Sequence, residues 1–510
     1  MQFDCVAEFE FTRDLSEAKK EVDAALELAN KTIMRKGAKD AREAAQASDW
    51  RLSADGKRLT VRIESGAVVR AHAALIRLRN FLNEQLGAKL KVGIRGVEIK
   101  KFEVKGIELK QAALRPIEIS CFVEEVKASE DGLKASLKLK DLTPALIEGG
   151  AVDRIIKLVQ DKVEAQHYEG KSEVKKLLWA SDQKTPHYDK DPAVELEARN
   201  WIRRTKGKAQ FVFGPQFASL ANAFKELLAE QVYAKLGFRE MIFPKFEPWD
   251  VPARSGHAKN IYPEAFFVAV PKKSDPAAWE KEKDFFRITG EVLKTNFAEK
   301  LDFVGIMSYA QCPPFWRFLE GRVVLDESLP IRVFDWSGPT YRNEAGGTQG
   351  IARLEEFHRI ETLWVGTPAQ TKKITSELAD AFTVFFNKTL DLEFRKNWIT
   401  PWFLAQEGKL GLSEKASEGV GTTDFDAWLP YRGPREKSEW LEFQNVSNNG
   451  DKYPKAFSVK AQSSELWSGC AGGSLERWAC AFLAQKGFDK KNWPSAVRDR
   501  VDITGEVKFA

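Results

Sequence analysis

The chain has 510 residues, more than one typical core holds, so two or three domains are expected. Its 43% hydrophobic and 30% charged residues describe an ordinary soluble globular protein, and no apolar run reaches the ~20 residues that span a bilayer. A net charge of +5 permits a polyanionic partner without demanding one, and five scattered cysteines fit a reducing compartment, not a disulfide framework.

The opening "MQFDCVAEFEF" has no basic leader and no cleavable apolar stretch, so a cytoplasmic location is expected. Residues 1–165 read as a compact α+β unit. "QFDCVAEFEF" alternates as a strand does, and "LSEAKKEVDAALELANKTIMRKG" has helical spacing and ends on Gly37. A hairpin turns at Asp55-Gly56, and a second helix is expected to close at Gly87. The stretch 89–125 reads as a series of short strands loaded with lysine. Each lysine alone is best read as part of a solvated sheet face. Together Lys89, Lys91, Arg95, Lys100, Lys101 and Lys105 can form a phosphate-binding surface, extended by Arg70, Arg77 and Arg79. Residues 166–200 are polar and are expected to be a linker with one helix. A second domain spans 201–510, and the chain's fifteen tryptophans, clustered after residue 200, imply a large aromatic core there. It starts with a long amphipathic helix broken at Gly237, then a strand ending on Pro244.

Chemistry concentrates in "YRNEAGGTQGIARLEEFHRIETLW", residues 341–364. It reads as strand, glycine-rich loop, strand. Arg342 and Glu344 share a face of the first strand, and Arg353 and Phe357 a face of the second. Two arginines, a carboxylate and an aromatic ring suit a nucleotide, because arginine holds phosphate by two hydrogen bonds and Phe stacks on a base. A salt-bridged hairpin is the competing reading of this stretch. In "SGCAGGSLERW", residues 468–478, Cys470 stands beside a Gly-Gly pair that can admit a ligand and seven residues before Arg477.

Arg-x-Glu, a loop, then Arg-x-x-x-Phe resembles motif 2 of the class II aminoacyl-tRNA synthetases. "GGSLERW" resembles their motif 3, with Arg477 as its arginine, and "GFREMIFPKFEP" resembles motif 1, with Pro244 as its proline. The cysteines narrow the resemblance. Cys312 in "YAQCPPFW", Glu361 in "HRIETLW" and Cys470 match the zinc ligands of the methanogen-type (type 2) seryl-tRNA synthetases. The likeness runs over the full length, and "LEFQNVSNNGDK" carries a pattern of seryl-tRNA synthetases generally, at Glu442, Ser447, Asn448 and Asp451.

The fold this implies is α+β: a class II antiparallel sheet flanked by helices, preceded by a separate α+β N-terminal domain that binds tRNA. The activity it implies is serine activation by ATP and transfer to tRNA(Ser), with tRNA(Sec) a second candidate substrate. Three ligands leave tetrahedral Zn2+, one per subunit, an open position for the serine amine. Arg342 is expected to bridge the serine carboxylate and the α-phosphate, and Glu344 to accept from the adenine amine. Phe357 and Arg477 would sandwich adenine, and Arg353 would hold the γ-phosphate. Asn343 and Leu354 complete the ATP site, and Glu442 holds Mg2+ on the phosphates. Ala310 and Asn445 line the serine pocket. Trp402 and Gln406, in an insertion at 389–432, are candidates for a lid over serine; a surface helix pair is the plainer reading of that insertion. The family implies a homodimer through motif 1. Cys480, Cys5 and Cys121 read as core, and His358 as structural on the opposite sheet face. Two alternatives stay open on sequence: a relative that loads carrier proteins, and an inactive RNA-binding paralogue.

Overall fold

A computed structural model describes residues 1–167, 175–207, 209–295, 297–344, 347–400 and 419–505. Two compact units divide at Lys171/Ser172.

The first unit holds a six-stranded antiparallel sheet in the order Gln46–Leu52, Arg58–Ser65, Gln2–Phe11, Ile94–Glu108, Lys134–Leu139, Val123–Ala128. Strict alternation builds it: Phe3, Cys5, Ala7 and Phe9 are buried, and they join one core with Leu26, Leu75 and Val159 of the helices Lys19–Lys31, Ala71–Leu90 and Ala151–Gln166. Two sequence expectations need correction. The helix from Ala71 does not close at Gly87 but runs to Leu90 and ends on left-handed Lys91, because Leu75, Leu78, Leu82 and Leu86 keep an apolar face through the glycine. The lysine-rich stretch 89–125 is not a series of short strands. It holds one 15-residue strand, Ile94–Glu108, with neighbours on both sides. Cys5 is core as expected, but Cys121 is exposed, in the loop before Val123–Ala128.

The second unit is built on a nine-stranded sheet. Its main order is Arg239–Glu240, Ile331–Asp335, Glu356–Gly366, Trp467–Ser474, Leu441–Gly450, Gly421–Ala427, Phe394–Ile399, Lys175–Ala180, and Pro339–Tyr341 pairs beside Glu356–Gly366. Only the Arg239–Glu240 pairing is parallel; the others are antiparallel. The helices Pro215–Leu228, Pro368–Val384 and Leu475–Lys486 cover one face, where Phe224, Leu378, Phe382, Trp478 and Phe482 meet Ile360 and Trp364 of the central strand. Every residue of Leu475–Lys486 except Arg477 is buried.

The segment 166–200 is more than a linker. Lys175–Ala180 adds an edge strand to the nine-stranded sheet by pairing with Phe394–Ile399, and Pro192–Ala198 is a helix capped by Asp191. Paired on one side only and mostly exposed, "KKLLWA" lacks the alternation that marks a half-buried strand. The strand near Pro244 is also shorter than expected: Arg239–Glu240 ends the pairing, and Phe246–Pro248 enters a separate three-stranded sheet with Leu301–Met307 and Phe267–Pro271.

Candidate active site

On the sheet face away from those helices lies a cavity of about 280 Å3. Alternation puts Arg359 and Glu361 there, while Ile360 and Trp364 turn to the helix side. Antiparallel register then lines up Glu361, Gly472, Asn445 and Asp424 as one row across four strands. Two residues further along, Leu363, Cys470, Ser447 and Thr422 form the next row. Cys312 enters from the first turn of the helix Cys312–Leu319.

The ligand atoms of Cys312, Glu361 and Cys470 all lie within 4.8 Å of one another, and all three residues are buried. Three such donors at this spacing can hold a metal ion. The Cys312 thiol is raised well above its ordinary pKa, by a hydrogen bond with Cys470 first, then by burial. Burial likewise raises Glu361, opposed by Arg359. A cation reverses that balance, because it favours thiolate and carboxylate over their protonated forms. The surroundings fit. Arg359 Nε donates to Glu361 Oε2 at 2.5 Å, and the buried Oε1 has no protein partner among the described residues. Asn449 Nδ2 donates to Cys470 Sγ at 3.3 Å, and the Tyr453 hydroxyl lies 3.6 Å from Cys312 Sγ. Hydrogen-bond donors around the sulfurs suit thiolates and fix their direction.

The glycines beside Cys470 have a reason that sequence alone does not disclose. A Cβ on Gly469 would meet the Trp364 ring at 2.2 Å, one on Gly472 would meet Arg359 Nη2 at 1.9 Å, and one on Gly473 would meet Gln444 Oε1 at 2.2 Å. Side chains from the chain itself take the space. At Gly472 the neighbour is the arginine that orients Glu361.

The other half of the cavity carries Arg342, Glu344, Phe357, Glu442 and Arg477. Arg477 is tightly held: Nη1 donates to Glu442 Oε2 at 2.9 Å and to the Glu442 carbonyl at 2.8 Å, and Nε donates to the Ala352 carbonyl at 3.1 Å. The Glu442 carboxyl sits below its ordinary range; burial pushes it up, but Arg477 and the Asn445 amide outweigh that. Arg353 Nε lies 3.5 Å from Glu344 Oε2.

Of the residues singled out by sequence, the cavity therefore gathers Ala310, Cys312, Arg342, Glu344, Phe357, Glu361, Glu442, Asn445, Ser447, Cys470 and Arg477. Asn343, Arg353 and Leu354 do not line it. Leu354 is buried in the helix-side core, and Asn343 Nδ2 donates to the Pro263 carbonyl. Arg353 is in the loop, not on the returning strand, which begins only at Glu356; Arg342 and Glu344 likewise follow the strand Pro339–Tyr341. The glycine-rich loop is thus longer than a hairpin reading suggests. Trp402 and Gln406 lie outside the described residues. Cys480 is core, its thiol pushed up to about 12 by burial. His358 faces away from the cavity, paired with Glu476.

Sequence reasoning missed His257, Tyr309, Arg359, Thr422 and Asp424, which also line the cavity. His257 is buried against Ser255, with its pKa lowered to about 3 by burial first and then by Lys452 and Arg342, so its ring is neutral. Arg359 alone had a legible signal, two residues before Glu361 on one strand face.

Comparison with known proteins follows the same division. A tRNA-binding domain family matches residues 1–161, and the class II tRNA synthetase core domain (G, H, P, S and T) matches residues 306–486. The type-2 serine--tRNA ligase of Methanococcoides burtonii is 43% identical over 99% of this chain and 98% of its own length. That of Methanothrix thermoacetophila is 42% identical over 98% of each. The solved structure of M. kandleri SerRS, in complex with A. aeolicus tRNASec, superposes with a TM-score of 0.80 at 27% identity, covering 99% of this chain and 98% of that one. Family likeness at this identity spans both units, so the chain belongs to the type-2 serine--tRNA ligases.

Proposed function

We propose that this serine--tRNA ligase selects serine with Zn2+ held by Cys312, Glu361 and Cys470, one ion per subunit, and activates it with Mg2+-ATP in the adjoining half of the same cavity. The observation that carries this reading is the buried Cys–Glu–Cys group sharing one cavity with Arg342, Phe357, Glu442 and Arg477. Bound zinc supplies a Lewis-acid position for the unprotonated serine amine, the fourth position that three protein ligands leave open. The chain does the rest. Arg359 fixes the Glu361 carboxylate. Arg342 offsets the negative charge shared by the serine carboxylate and the α-phosphate as they approach in line. Arg477, clamped by Glu442, would stack on one face of adenine and Phe357 on the other. Glu344 accepts from the adenine amine. Arg353 reaches the γ-phosphate from the loop before Glu356–Gly366, and Glu442 meets Mg2+. Ala310 and Asn445 border serine, with Trp402 and Gln406 as its lid. Little acid–base chemistry is required, so the neutral His257 serves packing and polarity.

The N-terminal unit, residues 1–165, would hold the tRNA, and the catalytic unit begins before residue 201, because Lys175–Ala180 is already a strand of its sheet. tRNA(Ser) is the expected substrate. tRNA(Sec) is the second, supported by the M. kandleri complex with tRNASec. A carrier-protein substrate does not suit a chain whose first 161 residues match a tRNA-binding domain. A homodimer through the motif 1 region is supported by an exposed apolar group there: Ile242, Phe246, Phe267, Phe303 and Phe318 are all exposed, Ile242 by 79%. No helix among the described residues is long and apolar enough to cross a membrane, and a cytoplasmic place fits the reduced cysteines. The test is metal content per chain measured alongside serine-dependent ATP–pyrophosphate exchange. One zinc per chain, with exchange lost on chelation and restored by zinc, is expected; full exchange from metal-free protein overturns the reading.

A further inference from the structure

Resting on the role given to Arg342 above, we propose that Glu264 and Tyr309 are positioning residues that set the orientation of the Arg342 guanidinium for serine activation. Arg342 lies just past the end of a strand, on a long side chain with much rotamer freedom to lose. Three contacts remove that freedom. Arg342 Nε donates to Glu264 Oε2 at 2.9 Å. Nη2 donates to the Tyr309 hydroxyl, which in turn donates to the same Glu264 oxygen at 2.9 Å. The guanidinium carbon stands 4.6 Å from the centre of the Tyr309 ring. The result is a closed triangle of acid, phenol and guanidinium.

The support is itself fixed. Glu264 sits in a turn whose amide donates to the Ile261 carbonyl at 2.9 Å. Its own carbonyl accepts from the Asn343 amide at 2.8 Å, and Asn343 Nδ2 donates to the Pro263 carbonyl at 2.8 Å. Ile261, Ala265, Ile306 and Tyr309 form a small separate core beneath. Side chain and backbone therefore tie the turn to residues 342 and 343 at once. Arg342 and Tyr309 line the cavity and Glu264 does not, so Glu264 stands behind the arginine and does not meet the substrate. These contacts engage Nε and Nη2 and do not use Nη1. An arginine held at one edge presents the other to developing charge without reorganising during the reaction, the condition under which such a group stabilises a transition state.

The test uses the full-length holoenzyme in serine-dependent ATP–pyrophosphate exchange. Glu264→Gln and Tyr309→Phe keep shape and remove, respectively, the charge and the hydroxyl. Each is expected to lower kcat roughly 10- to 100-fold, as misplacement of a catalytic group does, with KM for serine and ATP little changed. Metal content and thermal midpoint should stay at the wild-type level. The decisive arm repeats Glu264→Gln in an Arg342→Lys background. Because Glu264 acts through the arginine fork, the second substitution should change kcat by less than about twofold there. Wild-type kcat in both single variants overturns the proposal, and so does an equal loss in both backgrounds. Wild-type activity of Arg342→Lys alone would instead sink the role of the Arg342 fork.

Discussion

Asp4 lies on the outward face of the N-terminal sheet, answered by Arg62 at 2.8 Å and Lys101 at 3.1 Å, each at least partly open to water. Glu361 lies on the catalytic sheet at 0% exposure, answered by Arg359. Both are carboxylates on central strands, yet they do different work. Outside, charge is cheap to move: each pair contributes little and salt screens it, so a polyanion can compete for the basic partners. Inside, charge is costly to place, and breaking one partner of such a pair costs about 3–5 kcal/mol. One sheet offers replaceable contacts over an area, the other a few that cannot be exchanged. That difference fits a unit that holds a large nucleic acid and a unit that holds one small amino acid.

The sharpest way to break the comparison is at the buried cluster. Cys312→Ser, Cys470→Ser and Glu361→Ala should each remove the metal and abolish serine activation, since the site has no spare donor. Metal analysis beside pyrophosphate exchange reads this, and full retention of both in any one variant cancels that ligand. Cys480→Ser, in the helix-side core, should keep metal and activity.

A smaller effect is expected at the glycines. Gly472→Ala puts a methyl group 1.9 Å from Arg359 Nη2, so the guanidinium must leave Glu361. Metal affinity should fall roughly 10- to 100-fold, the usual result of losing an outer-shell partner. Gly37 in the N-terminal unit has nothing within 4 Å but a φ of +99°. Gly37→Ala should cost about 1 kcal/mol in backbone strain and leave metal affinity unchanged. Competitive titration with a zinc chelator separates the two, and equal affinities would mean that Arg359 does not hold Glu361 in solution.

How much of this was legible follows the same line between outside and inside. Alternation foretold the strand Gln2–Phe11 residue by residue, because one face meets water. On Glu356–Gly366 the run from Ile360 onward is buried on both faces, and alternation carries no signal there. The ligands Cys312, Glu361 and Cys470 were legible only through resemblance, since Glu361 and Cys470 meet by register across two strands and Cys312 comes from a helix, not by spacing. Tyr309 and Glu264 had no signal at all: a turn far away in sequence brings them to Arg342. The Gly-Gly pair was read as room for a ligand; Gly472 and Gly473 do line the cavity, and packing by Arg359 and Gln444 gives them a second reason. Lys175–Ala180 was missed because an exposed edge strand lacks a pattern.

On the outer face the expected effects are smaller and graded. Lys89, Lys91 and Arg95 are exposed, whereas Lys100 and Lys101 already lie within 3.5 Å of Glu8, Glu98, Asp4 or Glu103. Changing Lys89, Lys91 and Arg95 to Gln should weaken tRNA binding and flatten its log–log salt dependence by about 0.7–0.9 per lost phosphate contact. The same change at Lys100 and Lys101 should do less, because each must first give up an acidic partner. Binding isotherms at several salt concentrations decide it. Identical slopes for both sets would show that the pairs present in the folded chain do not compete with RNA.

The smallest effect tests whether a half-exposed charge on the catalytic sheet behaves like the outer or the inner kind. His358 Nδ1 lies 2.7 Å from Oε1 of Glu476, a carboxylate at 0% exposure. The hydrogen bond that His358 Nδ1 donates to Glu476 raises the His358 pKa above its ordinary value, and burial opposes this. The charges of Glu476 and of Glu356 on the same strand raise it further, and Lys225 on the neighbouring helix lowers it. A raised folded-state pKa means that the folded chain binds the proton more tightly than the unfolded one. The contribution to stability is then complete below about pH 6.5, the unfolded value, and is lost as pH rises through the folded pKa. The loss is limited. Glu476 keeps its bonds from the His358 amide, at 2.9 and 3.0 Å, and from Ser474 Oγ at 2.8 Å, and a neutral imidazole can still donate from Nδ1. With the His358 side chain 48% exposed, solvent screening keeps the charge contribution below about 1 kcal/mol. Thermal midpoints taken from pH 6 to 8.5 should therefore fall by under about 2 °C more in the wild type than in His358→Gln. The variant should match the parent at the alkaline end and lie below it at the acid end. Parallel curves across the range would place His358 with the exchangeable outer charges.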